Sequence, residues 1–369
     1  MSLFDPKNGY YQVGNGQYLN KVQALKEGTR TGKHPEWIFN NNVYAKVPWG
    51  VSTSKSLQEL YKNRAQQLRD KYDYLVLNYS GGSDSYTALH SFFANGIHLD
   101  EVWTSWPLEI TKGKYTPSKD KHPSNILSEW DFTISKNLNY IKQHHPEIKI
   151  KVNDWSSTVL EKTNEHEDFL YSQYLNHANI KRAKHCFTEF NNVMQAHKSS
   201  ALILGLDKPQ MVIKDDTLYT YFLDKLCGWV SDTTGILPRN IEYFYWTPDM
   251  PEIVQEQTFL IYMHLILNTN AKQIFEGKDK TIHDPFIRSI CYPDWVGEFQ
   301  ADKPYSCAFD TNYSWLMEHY TGSDNMNSWG DYLFKGVIYD IDQKYLEHKN
   351  GIFDSFVGMV SPFYKIGKL

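Results

Sequence analysis

Apolar residues between residues 55 and 96 recur first at helical spacing and then in a short continuous run. One amphipathic helix is predicted within 55–71 from the spacing of Leu57, Leu60, Ala65 and Leu68. The apolar run Tyr74–Leu77 follows, as is typical of a strand buried on both faces of a parallel sheet. Residues 86–93 return to helical spacing, and Gly96 ends that second helix.

The same alternation continues to about residue 206. It predicts further strands at 101–106, 148–154 and 201–206, and further helices at 125–144, 165–178 and 188–197. Strands that alternate with helices indicate βαβ units and therefore a parallel sheet. The sequence thus predicts an α/β core with four strands.

Three regions differ in their patterning. Residues 1–54 have weak periodicity, which predicts an irregular N-terminal extension packed on the core. Residues 55–215 form the predicted α/β core. Residues 216–369 have a mixed pattern, extended at 217–226 and 241–246 and helical at 251–267, and we expect them to serve as a substrate or interaction region.

Composition and charge narrow the class of protein. The chain has 369 residues and a formal net charge of -5, which argues against a broad cationic surface for nucleic acid. Its four cysteines are widely separated and form no CxxC pair, so neither a zinc ribbon nor a disulfide scaffold is expected. Without a signal-like N-terminus or an apolar run near eighteen residues, we expect a cytoplasmic protein that does not span a membrane.

The segment after the first predicted strand carries the clearest chemistry. Residues 80–85 read Ser-Gly-Gly-Ser-Asp-Ser and lie between a buried strand and a helix start. Glycines let backbone N–H groups approach phosphate closely, and the first helical turn adds unpaired donors and the positive end of its dipole. Asp84 would repel phosphate directly, so its useful role is to help bind Mg²⁺. The plainer interpretation is an ordinary turn with a helix cap.

This loop resembles the SGGxDS signature of the PP-loop ATP pyrophosphatases, and it is neither a GxxxxGK[ST] nor a GxGxxG loop. The resemblance covers residues 72–207 and is sharp only at 80–85. Within this family, the chain is broadly similar to the cores of the sulfonucleotide reductases and of 7-cyano-7-deazaguanine synthase. It implies a HUP-type Rossmann-like sheet with helices on both faces, with ATP and Mg²⁺ as cofactors. The residues that it assigns to the nucleotide are Ser80, Gly81, Gly82, Ser83, Asp84 and Ser85.

Two further basic positions are candidates for contact with phosphate. Lys208 follows the fourth predicted strand, where several PP-loop families have a second motif, and there it would neutralise charge on the leaving pyrophosphate. Asp207 beside it is equally suited to cap a turn. Arg182 belongs to a basic group at residues 181–185. This group either contacts an anionic substrate or the α-phosphate of ATP, or forms a solvated turn.

The resemblance implies adenylation of a carboxylate or carbonyl, on a small molecule or nucleotide, with release of pyrophosphate. A nucleophile such as ammonia or sulfur, supplied directly or by a protein partner, would then accept the activated group. No cysteine follows Cys307, which argues against sulfonucleotide reduction. The alternatives are a divergent sulfonucleotide-binding relative and a non-catalytic ATP- or AMP-binding module in a larger assembly.

Overall fold

The computed structural model of the chain describes residues 6–106, 108–111, 130–157, 177–224, 240–277, 287–292 and 359–369. The strands in this part of the chain form one five-stranded sheet and two three-stranded sheets. They are β1 (Tyr10–Val13), β2 (Gly16–Tyr18), β3 (Glu36–Ile38), β4 (Tyr74–Asn78), β5 (Glu101–Trp106), β6 (Lys149–Asp154), β7 (Ser200–Leu204), β8 (Gln210–Lys214), β9 (Thr217–Tyr221), β10 (Ile241–Tyr243) and β11 (Tyr364–Lys368).

The central sheet confirms the α/β class. Its strand order is β10-β7-β4-β5-β6, and all neighbouring strands are parallel, as in a Rossmann-like fold. The chain runs from β4 through β5 to β6 on one side, and then places β7 on the other side of β4. Open α/β sheets bind ligands beyond the carboxyl ends of the strands at such a switch point. The pattern predicts four strands; the fifth, β10, comes from beyond residue 215.

Helices separate and flank these strands. They are α1 (Lys21–Thr31), α2 (Asn41–Tyr44), α3 (Leu57–Lys71), α4 (Ser83–Phe93), α5 (Leu108–Thr111), α6 (Ser135–His144), α7 (His177–Ala196), α8 (Glu252–Leu267) and α9 (Thr269–Gly277). The helix predicted within 55–71 is confirmed as α3. It begins at Leu57, where the Ser56 side chain accepts a hydrogen bond from the Glu59 N–H at 3.1 Å. Within the described parts of the chain, no helix combines the length and apolar character needed to cross a membrane.

Helix α7 corrects one prediction. Residues 177–196 form a single helix, so the basic residues at 181–185 lie inside it and not in a turn before a helix at 188. No glycine or proline interrupts the segment, and its residues are compatible with a helix interior. Residues 165–176 of the other predicted helix lie outside the described residues. The helix predicted at 125–144 is observed as a π-helical turn at Trp130–Ile134 followed by α6.

The prediction of an irregular N-terminal extension is wrong for the described residues. Strand β1 pairs antiparallel with both β2 and β3, and α1 and α2 follow β2 and β3 along the chain. Tyr11, Trp37 and Phe39 of this region are buried. Strands of three or four residues are too short to show a clear alternation of polar and apolar positions, which is why the sequence pattern missed them.

A second antiparallel sheet joins the chain's last residues to the segment after the core. Strands β8 and β9 form a hairpin whose turn residues, Asp215 and Asp216, have positive φ angles of 48° and 52°. Both angles suit a tight hairpin turn, and the Asp216 side chain is 78% exposed. These two acids therefore form a surface turn. Strand β11 pairs antiparallel with β9 and completes the sheet.

One buried carboxylate ties three regions together. Glu242, in β10, accepts hydrogen bonds from Lys7 at 2.9 Å, Arg64 at 3.0 Å, Lys71 at 2.9 Å and Tyr72 at 2.5 Å. Burial alone would raise the pKa of Glu242, but the neighbouring cations outweigh it and lower the pKa to about 2. We call these five residues the Glu242 cluster. It holds the N-terminal region and α3 against the edge of the central sheet.

Candidate functional site

The loop at residues 79–82 connects the carboxyl end of β4 to α4. Gly81 has a φ of +83°, and a Cβ atom added there would lie 2.7 Å from Cγ1 of Ile134. Both the left-handed backbone and the close contact require glycine. Gly82 precedes α4, and a Cβ there would meet only the Ser80 hydroxyl, at 3.6 Å. The helix start is therefore open to a ligand on the side of Gly82.

The serines of the loop hold its shape. Ser85 Oγ lies 3.1 Å from Ser80 Oγ, accepts a hydrogen bond from the Ser80 N–H at 3.2 Å and donates one to the Gly82 carbonyl at 3.2 Å. Ser83 and Ser85 are buried, whereas Ser80 is exposed. Two of the serines expected at the ligand are thus buried. Ser80 and the backbone N–H groups are the donors that face outward.

Asp84, Asp207 and Lys208 meet beside the loop, and we call them the loop cluster. Lys208 Nζ lies 3.0 Å from a carboxylate oxygen of Asp84 and 3.0 Å from one of Asp207. Asp207 also accepts a hydrogen bond from the Lys208 N–H at 2.6 Å. The side chains of Asp84 and Lys208 are 27% and 16% exposed, which leaves both within reach of a ligand.

The electrostatics of the loop cluster follow from its excess of negative charge. Burial raises the pKa of Asp207, Lys208 opposes that rise, and the nearby Asp84 adds to it. For Lys208, burial disfavours the ammonium ion, but Asp84 and Asp207 outweigh this effect and keep the pKa above its ordinary value. Lys208 is therefore charged at neutral pH. Lys208 lies between two acids, so a bound cation could take its place beside Asp84. A bound anion could in turn take up the charge of Lys208.

Gly205 brings the two halves of the site together. A Cβ at this position would lie 2.9 Å from Cα and 3.0 Å from N of Ser85, both of them backbone atoms. Glycine therefore allows the segment after β7 to approach the first turn of α4. This approach places Lys208 beside Asp84. In the sequence, this role of Gly205 is indicated by its position directly after a buried strand. The loop motif at residues 80–85 does not identify it.

Two tyrosines from distant parts of the chain support the loop cluster. Tyr245 Oη donates a hydrogen bond to the Asp84 backbone carbonyl at 2.7 Å, and burial raises the Tyr245 pKa well above its ordinary value. The ring of Tyr292 lies 5.9 Å from Lys208 Nζ. The aromatic segment at residues 243–246 is buried and belongs to the core. Periodicity gave no signal for either tyrosine contact.

The cysteines and the basic helix contribute less to this site. Burial raises the pKa of the Cys291 thiol, which is therefore protonated at neutral pH and unsuited to act as a nucleophile. Arg182 belongs to α7, but its side chain lies outside the described residues. Among the residues that the structure describes, no group of three or more His, Cys, Asp or Glu side chains is arranged to hold a metal ion.

A cavity of about 200 Å³ opens at the carboxyl ends of β4, β5 and β7. Its lining includes Asn78, Ser80, Ser85, Ser105, Leu204 and Leu206. It therefore adjoins the loop at the topological switch point of the sheet, where a ligand is expected in a fold of this type.

No family model, curated protein or solved structure matches this chain. Function is therefore inferred from the chemistry of the loop, the loop cluster and the cavity.

Proposed function

We propose that this protein binds ATP with Mg²⁺ at residues 80–85 and adenylates a carboxylate or carbonyl substrate, releasing pyrophosphate. The observation that carries the proposal is the position of the Ser-Gly-Gly-Ser-Asp-Ser loop. It joins β4 to α4 at the switch point of the sheet, with the side chain of Lys208 3.0 Å from that of Asp84. A HUP-type sheet of the PP-loop family agrees with the observed strand order.

Phosphate binding falls to the backbone of the loop. The open side of Gly82 and the first turn of α4 present N–H donors and the positive end of the helix dipole. Ser80, the exposed serine, adds a hydroxyl donor. These groups would hold the β- and γ-phosphates, since donors and an open approach coincide there.

Asp84 and Lys208 provide the charges for the reaction. Mg²⁺ is commonly held by one or two carboxylates together with substrate phosphates, so Asp84 suffices as its protein ligand. When bound, the metal neutralises phosphate charge. Lys208, released from its ion pair with Asp84, would stabilise the negative charge that develops on the leaving pyrophosphate. Arg182 stays a candidate for contact with an anionic substrate.

The products of ATP consumption test this proposal. With ATP, Mg²⁺ and a panel of candidate carboxylate and nucleobase substrates, we expect AMP and pyrophosphate, separated by chromatography. Asp84→Ala should abolish pyrophosphate release and leave the fold intact, because the side chain contributes no core volume. Asp70→Ala removes an exposed acid of α3 that accepts a hydrogen bond from the Gln66 side chain, and is the matched control. Formation of ADP in an Asp84-dependent reaction would contradict the proposal.

A binding measurement separates an enzyme from a nucleotide-binding module. Gly82→Val should block ATP binding, because its branched side chain would fill the open space beside Ser80. Calorimetry with unchanged ATP affinity in this variant would contradict the loop as the site. Tight ATP binding by the natural protein, without products across the substrate panel, would support the module.

A further inference from the structure

Several buried polar atoms at one end of the central sheet have no hydrogen-bond partner within the described part of the chain. They are Nε1 of Trp103, Oγ of Ser105, and both Nδ2 and Oδ1 of Asn153. Asn153 is only 2% exposed, so its side chain is buried. Buried polar groups in folded proteins are almost always paired, because an unpaired group loses its hydration and gains nothing in return. Ser105 and Asn153 lie side by side in the sheet, so their unpaired groups together suit a polar ligand.

The register of the sheet connects these atoms to the cavity. Ser105 of β5 lies directly beside Asn153 of β6, and paired residues of parallel strands share one face. Trp103, two residues before Ser105 in β5, is on the same face of the sheet. It pairs with Asn78 of β4, and Asn78 pairs with Leu204 of β7. Asn78, Leu204 and Ser105 all line the cavity. Asn153 is therefore buried beside Ser105, one strand beyond the residues that line the cavity.

The chemistry of the two side chains defines what they can bind. The Asn153 amide offers a donor and an acceptor side by side, and Ser105 adds a hydroxyl that can do either. This pattern matches the edge of a planar nitrogen heterocycle, and asparagine is known to pair with adenine in this way. The apolar Leu204 and Leu206 of the cavity suit the faces of such a ring. Within the described part of the chain, no hydrogen bond opposes rotation of the Asn153 amide toward the ligand.

We propose that Ser105 and Asn153 form a hydrogen-bonding subsite for the donor–acceptor edge of a nucleobase. The inference rests on the proposed function, because the cavity adjoins the phosphate-binding loop. The base belongs either to the bound nucleotide or to a nucleobase-containing substrate. Both sources require the same edge, and the experiment distinguishes them.

The test compares three probes by calorimetry: ATP, inorganic tripolyphosphate, and free nucleosides in the presence of a saturating non-hydrolysable ATP analogue. Asn153→Leu removes the donor and the acceptor, and Ser105→Ala removes only the hydroxyl. If the base is that of ATP, both variants should weaken ATP binding about tenfold or more. Tripolyphosphate affinity should stay unchanged. If the base is that of the substrate, only nucleoside binding should weaken.

The matched control is Ser200→Ala, which removes another buried, unpartnered hydroxyl from the same sheet, at the amino-terminal start of β7. It should change none of the three affinities. Thermal melts of Asn153→Leu and Ser105→Ala verify that both variants fold.

Unchanged binding of both ATP and nucleosides in folded Asn153→Leu and Ser105→Ala would overturn the subsite. Failure of tripolyphosphate to bind the natural protein would instead count against the loop itself, so the two failures are distinguishable. A further variant, Asn153→Asp, keeps the acceptor and loses the donor. If the base is adenine, it should shift nucleotide preference from ATP toward GTP, whose base offers donors on its pairing edge.

Discussion

The loop cluster and the Glu242 cluster are both built from ion pairs, but their balance of charge is opposite. In the Glu242 cluster, one carboxylate meets Lys7, Arg64 and Lys71, and its pKa falls to about 2. In the loop cluster, one lysine meets two carboxylates, and burial raises the pKa of Asp207. A cation majority around a fully buried acid stabilises the fold. An acid majority at a partly exposed edge leaves charge for a ligand to neutralise.

The largest expected effect comes from breaking the Glu242 cluster. Glu242→Gln leaves the fully buried guanidinium of Arg64 without its charged partner, and such losses cost about 3–5 kcal/mol of stability. Urea denaturation should show a lower midpoint with an unchanged slope. Glu27→Gln, which breaks the surface pair with Arg30, is the control and should leave the midpoint unchanged. An equally stable Glu242→Gln protein would show that the cluster is not structural.

Removal of the charge of Lys208 in the loop cluster should lower turnover rather than stability. Lys208→Met keeps the length and apolar stem of the side chain but removes the charge placed beside Asp84. We expect kcat for pyrophosphate release to fall about 10²–10³-fold, as for the loss of one group that stabilises developing charge. Lys198→Met, in the segment between α7 and β7, is the matched control and should keep full activity. A fall in urea stability as large as that of Glu242→Gln, with kcat preserved, would reverse the comparison.

The two clusters should change the free energy of unfolding in opposite directions as the pH falls, because the pKa of Glu242 is lowered and that of Asp207 is raised. Glu242 has a folded-state pKa of about 2 against an ordinary value of 4.5, so its contribution is complete above pH 4.5 and is lost as pH falls toward 2. A difference of this size corresponds to about 3 kcal/mol. Asp207 acts in the opposite direction, because its raised pKa favours the protonated form in the folded state. Urea unfolding across this range should show a flatter acid limb in Glu242→Gln.

The smallest effect is expected from the glycine that joins the loop to β7. Gly205→Ala forces a Cβ to within 2.9 Å of the Ser85 backbone, and overpacking of this kind costs about 1–3 kcal/mol. Gly82→Ala adds a Cβ whose nearest neighbour is 3.6 Å away, and should leave the melting temperature nearly unchanged. Equal melting temperatures for the two variants would contradict the close approach of Gly205.

Local patterns predicted much of the core and the centre of the candidate site. Strand β5 has the predicted bounds, and β4 extends the predicted run by one residue to Asn78. Each is a compact apolar segment bounded by polar or glycine residues, a signal that depends only on neighbouring positions. The single helix α7 and the three short N-terminal strands were missed. A long helix that carries a basic group and strands of three or four residues both give weak periodicity.

The sequence by itself determined that a glycine- and serine-rich loop with Asp84 would follow a buried strand, because all of its residues are contiguous. It also selected Lys208 as a partner for phosphate. Only the tertiary structure brought Lys208 to Asp84, across a separation of 124 residues, and placed Tyr245 against the backbone of that same acid. Only the structure aligned Ser105 with Asn153. Contacts between distant segments depend on strand order and register, which local periodicity does not encode.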